Sequence, residues 1–244
     1  DLHDKQLLFS DSGESFLMYG VEGRSWVTMG DPMGRADERE ELAWKFREMV
    51  DRHDGWPVFY QIRPDNLALY LDLGLTMLKL GEEARVPLTD FSLEGSSRKR
   101  LRQTVKRFER LNATFEVIAP ADVPAYLPEM KRISDEWLQN KTGGEKRFSL
   151  GFFDEEYLRR TPLAIIRCDG TPCAFANLWC GSERDEITVD LMRYPPHAPE
   201  GVMEFLFIQM MLWGREQGYS WFNMGMAPLS GIESRRLAPL WNRL

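Results

Sequence analysis

Between residues 162 and 224 the chain runs through a succession of elements that leaves few possible folds. Residues 162–168 and 171–179 are apolar runs rich in β-formers, joined by Asp169-Gly170, a pair that favours a two-residue hairpin turn. Residues 186–192 read as a third strand, 201–217 as a long helix and 221–224 as a further strand. The pattern is an antiparallel meander, a crossing helix and a returning parallel strand, because parallel neighbours need a crossover connection.

The N-terminal part has a similar order. Residues 6–10, 15–21 and 24–29 are short β-rich runs parted by Asp11-Ser12-Gly13 and Glu22-Gly23, and Gly30-Asp31-Pro32 ends the third. An amphipathic helix over 37–51 follows, with Leu42, Phe46 and Met49 on one side. Then come a strand over 56–63, a helix over 65–73 and a hairpin built from 76–81 and 83–87. The second half opens with the helix over 96–111, a strand over 114–118 and a helix over 123–138, whose apolar face carries Tyr126, Leu127, Met130, Ile133 and Trp137. The two orders, β-β-β-α-β-α and α-β-α-β-β-β-α-β, predict a tandem α/β (α+β) protein. Its first unit spans 1–90, and its second, 91–244, carries the catalytic site. No residue-level repeat is visible, so the tandem reading rests on element order. The second order matches acyltransferases of the GNAT type, an analogy of fold alone.

Composition allows this. The chain has 244 residues, 43% of them hydrophobic, and its eight Trp and fourteen Phe supply core material. It contains no run of about 18 apolar residues, the length that spans a bilayer. The start at Asp1, without Met, reads like a cut inside a larger protein. Cys168, Cys173 and Cys180 lack CxxC spacing and a clustered His, so no metal site is expected. An odd cysteine count without a signal peptide favours a reducing compartment. His3, His53 and His197 are scattered, and no Ser-His-Asp or Cys-His arrangement stands out.

Charge is distributed unevenly. The formal net charge is −7, yet residues 96–111 hold Arg98, Lys99, Arg100, Arg102, Lys106, Arg107 and Arg110 against a lone Glu109. Leu101, Val105 and Phe108 recur at i, i+4, i+7, giving a helix with one apolar face and a cationic remainder. A basic helix on an acidic protein suits a phosphate-bearing polyanion, either nucleic acid or an anionic membrane surface. The plainer alternative is a solvated surface helix.

Several other residues are candidates for chemistry. Asp190 and Arg193 lie at a strand end, where open α/β sheets bind ligands. A carboxylate and a guanidinium so placed suit an ammonium group and a phosphate or carbonyl, or else form a local salt bridge. Glu145, Lys146 and Arg147 follow Thr142-Gly143-Gly144, either a loop that closes over substrate or a linker. Met224 to Gly231, with Ser230 near its end, puts small residues where backbone can approach a ligand, or forms an ordinary turn. Glu204 stands among Phe205 and Phe207 on the long helix, as a buried proton-accepting carboxylate or a solvent-facing one. Ahead of that helix the chain reads Pro195-Pro196-His197-Ala198-Pro199-Glu200-Gly201. Prolines remove the amide donors that a pyrophosphate loop needs, so coenzyme A is not expected.

These segments, taken in order, resemble the cytosolic catalytic domain of the aminoacyl-phosphatidylglycerol synthases, the multiple peptide resistance factor family. The resemblance is carried by Ser25-Trp26 through Gly30-Asp31-Pro32, Phe91-Ser92-Leu93-Glu94-Gly95, Ile133-Ser134-Asp135-Glu136-Trp137-Leu138, Glu145-Lys146 with Phe148-Ser149-Leu150-Gly151, Phe175-Ala176-Asn177-Leu178-Trp179, Asp190-Leu191-Met192-Arg193-Tyr194, Gly201-Val202-Met203-Glu204-Phe205-Leu206 and Gly225 through Gly231. It implies a tandem GNAT-like fold that transfers a lysyl or alanyl group from aminoacyl-tRNA to phosphatidylglycerol. The product lowers membrane negative charge and gives resistance to cationic peptides. It implies no cofactor, a partnership with charged tRNA and anionic lipid, and an N-terminal transmembrane flippase part at the cytoplasmic face of the bacterial inner membrane.

Asp190 and Arg193 match the family's Asp-x-x-Arg motif. The implied roles are Asp190 on the aminoacyl ammonium or as base, and Arg193 on lipid phosphate or the tRNA 3′ end. Glu145, Lys146, Glu204 and Ser230 are the expected substrate contacts, and Arg98, Lys99, Arg100, Arg102, Lys106 and Arg107 the expected contacts to tRNA or lipid phosphate. The family pattern continues past Trp241-Asn242-Arg243-Leu244 into a Tyr-Asn-Phe segment and a Lys-bearing helix, so a shortened C-terminus is expected. The competing readings are a tRNA-dependent transferase acting on a peptidoglycan-type peptide, a non-catalytic module that docks on anionic membrane, and an ordinary acetyltransferase.

Overall fold

The computed structural model describes Leu2 and residues 4–139, 145 and 148–232. These fall into two compact units divided between Lys79 and Leu80, with Phe148 and Ser149 belonging to the first.

The first unit contains β1 (Gln6–Phe9), β2 (Phe16–Glu22), β3 (Ser25–Met29), α1 (Arg39–Arg52), β4 (Trp56–Tyr60) and α2 (Leu67–Asp72). Its sheet has the order β1-β2-β3-β4. The first three strands are antiparallel, and β4 is parallel to β3. The parallel pair requires a crossover, which α1 supplies. Leu42, Phe46 and Val50, at i, i+4, i+8, bury against Leu17 and Tyr19. Met49 is only partly buried beside them, so the apolar stripe lies slightly round the helix from the expected Leu42-Phe46-Met49 line.

The second unit contains β5 (Gly81–Pro87), α3 (Lys99–Glu109), β6 (Ala113–Ile118), α4 (Leu127–Gln139), α5 (Glu155–Leu158), β7 (Leu163–Cys168), β8 (Thr171–Cys180), β9 (Glu186–Arg193), α6 (Val202–Glu216) and β10 (Trp221–Pro228). The sheet order is β5-β10-β9-β8-β7-β6. Strands β6 to β9 form an antiparallel meander, and α6 crosses to β10, which pairs parallel to β9. Asp169 and Gly170 turn the β7–β8 hairpin with φ of 47° and 78°, both left-handed, as the Asp-Gly pair requires. The mixed α/β class and the element order from the meander onward are as the sequence predicts.

Two expectations need correcting. The hairpin over 76–81 and 83–87 does not form. Only 81–87 becomes a strand, and it pairs antiparallel with β10 at the far end of the chain. The first unit therefore closes at Lys79 rather than at residue 90. The segment from Met224 is likewise strand for most of its length, and the expected turn is confined to Leu229 to Gly231. After a bulge at Gly225, φ 82°, Met226 to Pro228 resume pairing with β5. Gly81 fits there because a Cβ would run into the Ala227 carbonyl.

The sheet of the second unit has a different occupant on each face. Leu101, Val105 and Phe108 of α3 and Val202, Phe205, Leu206 and Met210 of α6 pack with Ala174, Ala176, Leu178, Ile187 and Phe222. The Phe108 and Phe205 rings stack at 4.5 Å. The apolar face expected for the basic helix is thus its buried face. On the opposite face, Phe153 meets Phe175 edge-on and Trp137 of α4 lies over Arg193.

Candidate active site

The site begins with one extra residue. Leu178 pairs with Val189 and Ala176 with Met192, so Asn177 alone stands opposite Asp190 and Leu191. Strand β9 is bulged there. Asn177 is fully buried and holds the bulge, its Oδ1 accepting the Leu191 N–H at 2.7 Å and its Nδ2 donating to Thr161 Oγ1 at 3.4 Å. The bulge resets the alternation. Ile187, Val189 and Met192 join the core under α3 and α6, and Asp190 and Arg193 both turn to the α4 face. In an unbroken strand, residues three apart face opposite sides.

Asp190 has a donor on each oxygen. Oδ1 accepts the Gly151 N–H at 2.8 Å, and Oδ2 accepts the Tyr157 hydroxyl. A Cβ at Gly151 would overlap the carboxylate, so glycine is what lets the backbone approach. Tyr157 is 2% exposed, and its phenol receives the Trp179 indole N–H at 2.7 Å. Burial, followed by the hydrogen bond and charge of Asp190, pushes the Tyr157 phenol well above the usual tyrosine value. The short helix α5 places this side chain, with Asp154 Oδ1 capping it through the Tyr157 N–H at 2.8 Å.

Arg193 is 7% exposed. Its Nη2 donates to Glu145 Oε1 at 2.8 Å, its Nη1 to the Met192 carbonyl at 2.8 Å, and the guanidinium lies 4.0 Å over the Trp137 ring. Burial lowers its pKa from the usual guanidinium value, while Glu145 and Asp190 act in the opposite direction. Its Nε is buried without a hydrogen-bond partner among the described residues. Glu145 Oε1 also accepts the Phe153 N–H at 3.2 Å, so one carboxylate ties Arg193 to the segment that covers the face.

Of the expected site residues, Asp190, Arg193 and Glu145 come together. Lys146 lies outside the described residues. Glu204 does not join them. It sits in the first turn of α6, under the other face of the sheet, where its carboxylate takes the Thr104 hydroxyl at 2.8 Å and pairs with Arg100 at 3.2 Å. It is 31% exposed at the side chain and braces α3 against α6, rather than being a buried proton acceptor. Ser230 follows β10 and donates to Glu82 at 3.1 Å, with no bond to Asp190 or Arg193.

The basic helix is on the α6 face as well. Arg98 stacks on Phe91, Arg102 donates to the Leu93 and Gly95 carbonyls, and Arg107 pairs with Glu200 at 3.6 Å. Lys99, Lys106 and Arg110 are exposed and have no ion-pair partner among the described residues. With Gln103 they recur at i, i+4, i+7, i+11, a single outward ridge.

Five residues of the site escaped the sequence reading: Gly151, Tyr157, Asn177, Trp179 and Trp137. All but Tyr157 stand in segments that carry the resemblance, but nothing local gives them a role. The signal for Tyr157 was Asp154 ahead of Glu155-Glu156, an N-cap and acidic first turn that mark a helix start.

Chemically, the centre is a fixed carboxylate beside a stacked, buried guanidinium. Such a pair can orient a cation and an anionic or carbonyl oxygen. Among the described residues no group of three or more His, Cys, Asp or Glu is arranged to hold a metal ion. The turn ahead of α6 spends amides internally, Ala198 N–H on the Pro195 carbonyl at 3.0 Å and Val202 N–H on that of Pro199 at 3.1 Å.

A family model described as phosphatidylglycerol lysyltransferase, C-terminal, matches residues 2–244. A phosphatidylglycerol lysyltransferase of Bacillus subtilis is 44% identical over 232 residues, 95% of this chain and 27% of that protein. The chain thus spans little more than a quarter of the length of such relatives. Among solved structures, the C-terminal domain of a putative lysylphosphatidylglycerol synthetase from Agrobacterium fabrum is 44% identical with a TM-score of 0.90, over 93% of this chain and 72% of that one. The structure of L-PGS from Bacillus licheniformis is 42% identical with a TM-score of 0.89, over 97% and 73%.

Proposed function

Since the chain belongs to the phosphatidylglycerol lysyltransferase C-terminal family, we propose that its second unit transfers a lysyl group from lysyl-tRNA to a glycerol hydroxyl of phosphatidylglycerol. The observation that carries this reading is the β9 bulge, which turns Asp190 and Arg193 to one face. The donor ester is already activated, so the enzyme has to align two substrates and stabilise charge rather than supply a nucleophile. The lipid hydroxyl attacks the aminoacyl carbonyl, the ester bond to the tRNA ribose breaks, and the hydroxyl proton passes to the departing ribose oxygen. Asp190, with Gly151 and Tyr157 already donating to it, uses its remaining lone pairs on the aminoacyl ammonium. Arg193 meets a phosphate or the carbonyl oxygen as charge develops there. The internally bonded amides and prolines of the turn before α6 support a donor other than acyl-CoA.

The basic ridge of α3 lies across the sheet from Asp190 and so serves as an anchor for a polyanion, tRNA or anionic bilayer, away from the reacting atoms. The chain corresponds to only 27% of the Bacillus subtilis relative, and the reading places a membrane part that holds this unit at the cytoplasmic face in the remainder of a full-length protein. The lysyl lipid lowers surface negative charge and thereby resistance to cationic peptides rises.

The test is transfer by the full-length protein from tRNA charged with labelled lysine or alanine into phosphatidylglycerol micelles. Label from lysine enters the lipid, and Asp190→Ala abolishes transfer in a protein that still folds, as its circular dichroism spectrum shows. Label remaining on tRNA with both amino acids overturns the activity, and unimpaired transfer by Asp190→Ala overturns the site.

A further inference from the structure

We propose that Tyr157 is a positioning residue for this transfer: its hydroxyl, oriented by the Trp179 indole, selects the Asp190 conformation that receives the aminoacyl ammonium. The inference rests on Asp190 being the carboxylate of the reacting centre.

The direction of the phenol proton follows from the inventory of donors. An indole N–H can only donate. Trp179 Nε1 points at Tyr157 Oη at 2.7 Å, so that oxygen is the acceptor and its own proton has to go elsewhere. The Asn177 side chain also reaches the phenol, but the charged acceptor there is Asp190 Oδ2. Trp179 is 49% exposed, yet it spends its polar atom inward. Buried as it is, the phenol remains protonated and so remains a donor throughout the neutral range.

One donor would not be enough to fix the carboxylate. Gly151 N–H holds Oδ1 at 2.8 Å, which leaves the group free to swing about that bond. A second donor on Oδ2 fixes its plane. Tyr157 in turn is held at its own backbone by Asp154 and at its ring by the Trp179 ring 6.1 Å away. The result is a carboxylate fixed by its supports before substrate arrives.

In full-length protein, Tyr157→Phe keeps the ring and removes the donor. A hydrogen bond to a charged group of this kind corresponds to about a ten- to hundredfold loss of kcat, with KM for tRNA and lipid little changed. Trp179→Phe gives a smaller loss, and adding it to Tyr157→Phe gives no further loss, because the indole acts only through the hydroxyl. Losses that multiply, or a Tyr157→Phe variant with full kcat, overturn the proposal. A crystal structure of Tyr157→Phe reads the same claim without activity: the Asp190 carboxylate rotates away from its wild-type plane. If the wild-type protein transfers nothing, the function fails, and this second readout decides the positioning claim alone, an unmoved Asp190 overturning it.

Discussion

At Asn177 one side-chain amide replaces the ladder bond that the bulge removes, accepting the Leu191 N–H at 2.7 Å inside the sheet. Asn177→Ala strands that buried donor, which costs about 1–3 kcal/mol. Urea unfolding of the variant should show that loss, together with reduced transfer. Gly151→Ala acts on the other side of the same carboxylate. The new Cβ displaces Asp190, so transfer falls sharply while the melting temperature changes little, as parallel rate and melting measurements would reveal. Tyr157 and Tyr70 both contribute to the alkaline limit. Burial and then a carboxylate partner, Asp190 for Tyr157 and Asp31 for Tyr70, raise both phenols, so the unfolded chain loses these protons first. Stability contributed by the two is intact below about pH 10 and falls as pH rises beyond it. Melting curves from pH 8 to 11 should steepen there, and less so in Tyr70→Phe/Tyr157→Phe. None of these partnerships is written locally. Gly151 and Tyr157 stand 39 and 33 residues from Asp190, and a bulge leaves no mark in residue type.

At the scale of elements, periodicity carried the helices well. Leu101, Val105 and Phe108 mark the buried face of α3 because a helix repeats every few residues, and Asp169-Gly170 marks a hairpin because both positions need left-handed backbone. The β5 strand was misassigned for the opposite reason, since its partner β10 is brought in only by the fold. Phe108→Ala should cost about 3–5 kcal/mol in urea unfolding, the usual cavity cost for a buried aromatic ring. The charged side of α3 divides by position. Arg100, Arg102 and Arg107 have partners within the unit, Glu204, the Leu93 and Gly95 carbonyls and Glu200, and Lys99, Lys106 and Arg110 are exposed without an ion-pair partner among the described residues. Changing these three to Ala should raise KM for charged tRNA and flatten its dependence on salt, because fewer counterions are released. A salt slope equal to that of the wild type would leave the ridge a solvated surface.

On the scale of the molecule, one frame occurs twice. Strands β1-β2-β3, helix α1 and strand β4 repeat the connectivity of β7-β8-β9, α6 and β10: a meander, a crossover helix and a parallel return. The tandem order was legible in the sequence although no residue repeat betrayed it. The copies differ at the third strand. In the first unit β2 and β3 pair without interruption from Tyr19 with Thr28 to Glu22 with Ser25, and β3 carries no carboxylate. In the second, one additional residue brings a carboxylate and a guanidinium to the same side. Duplication of the architecture therefore does not duplicate the proposed chemistry: among the described residues the carboxylate–guanidinium pair stands on one copy of the frame, and titration with a tight bisubstrate inhibitor should saturate at one equivalent per chain.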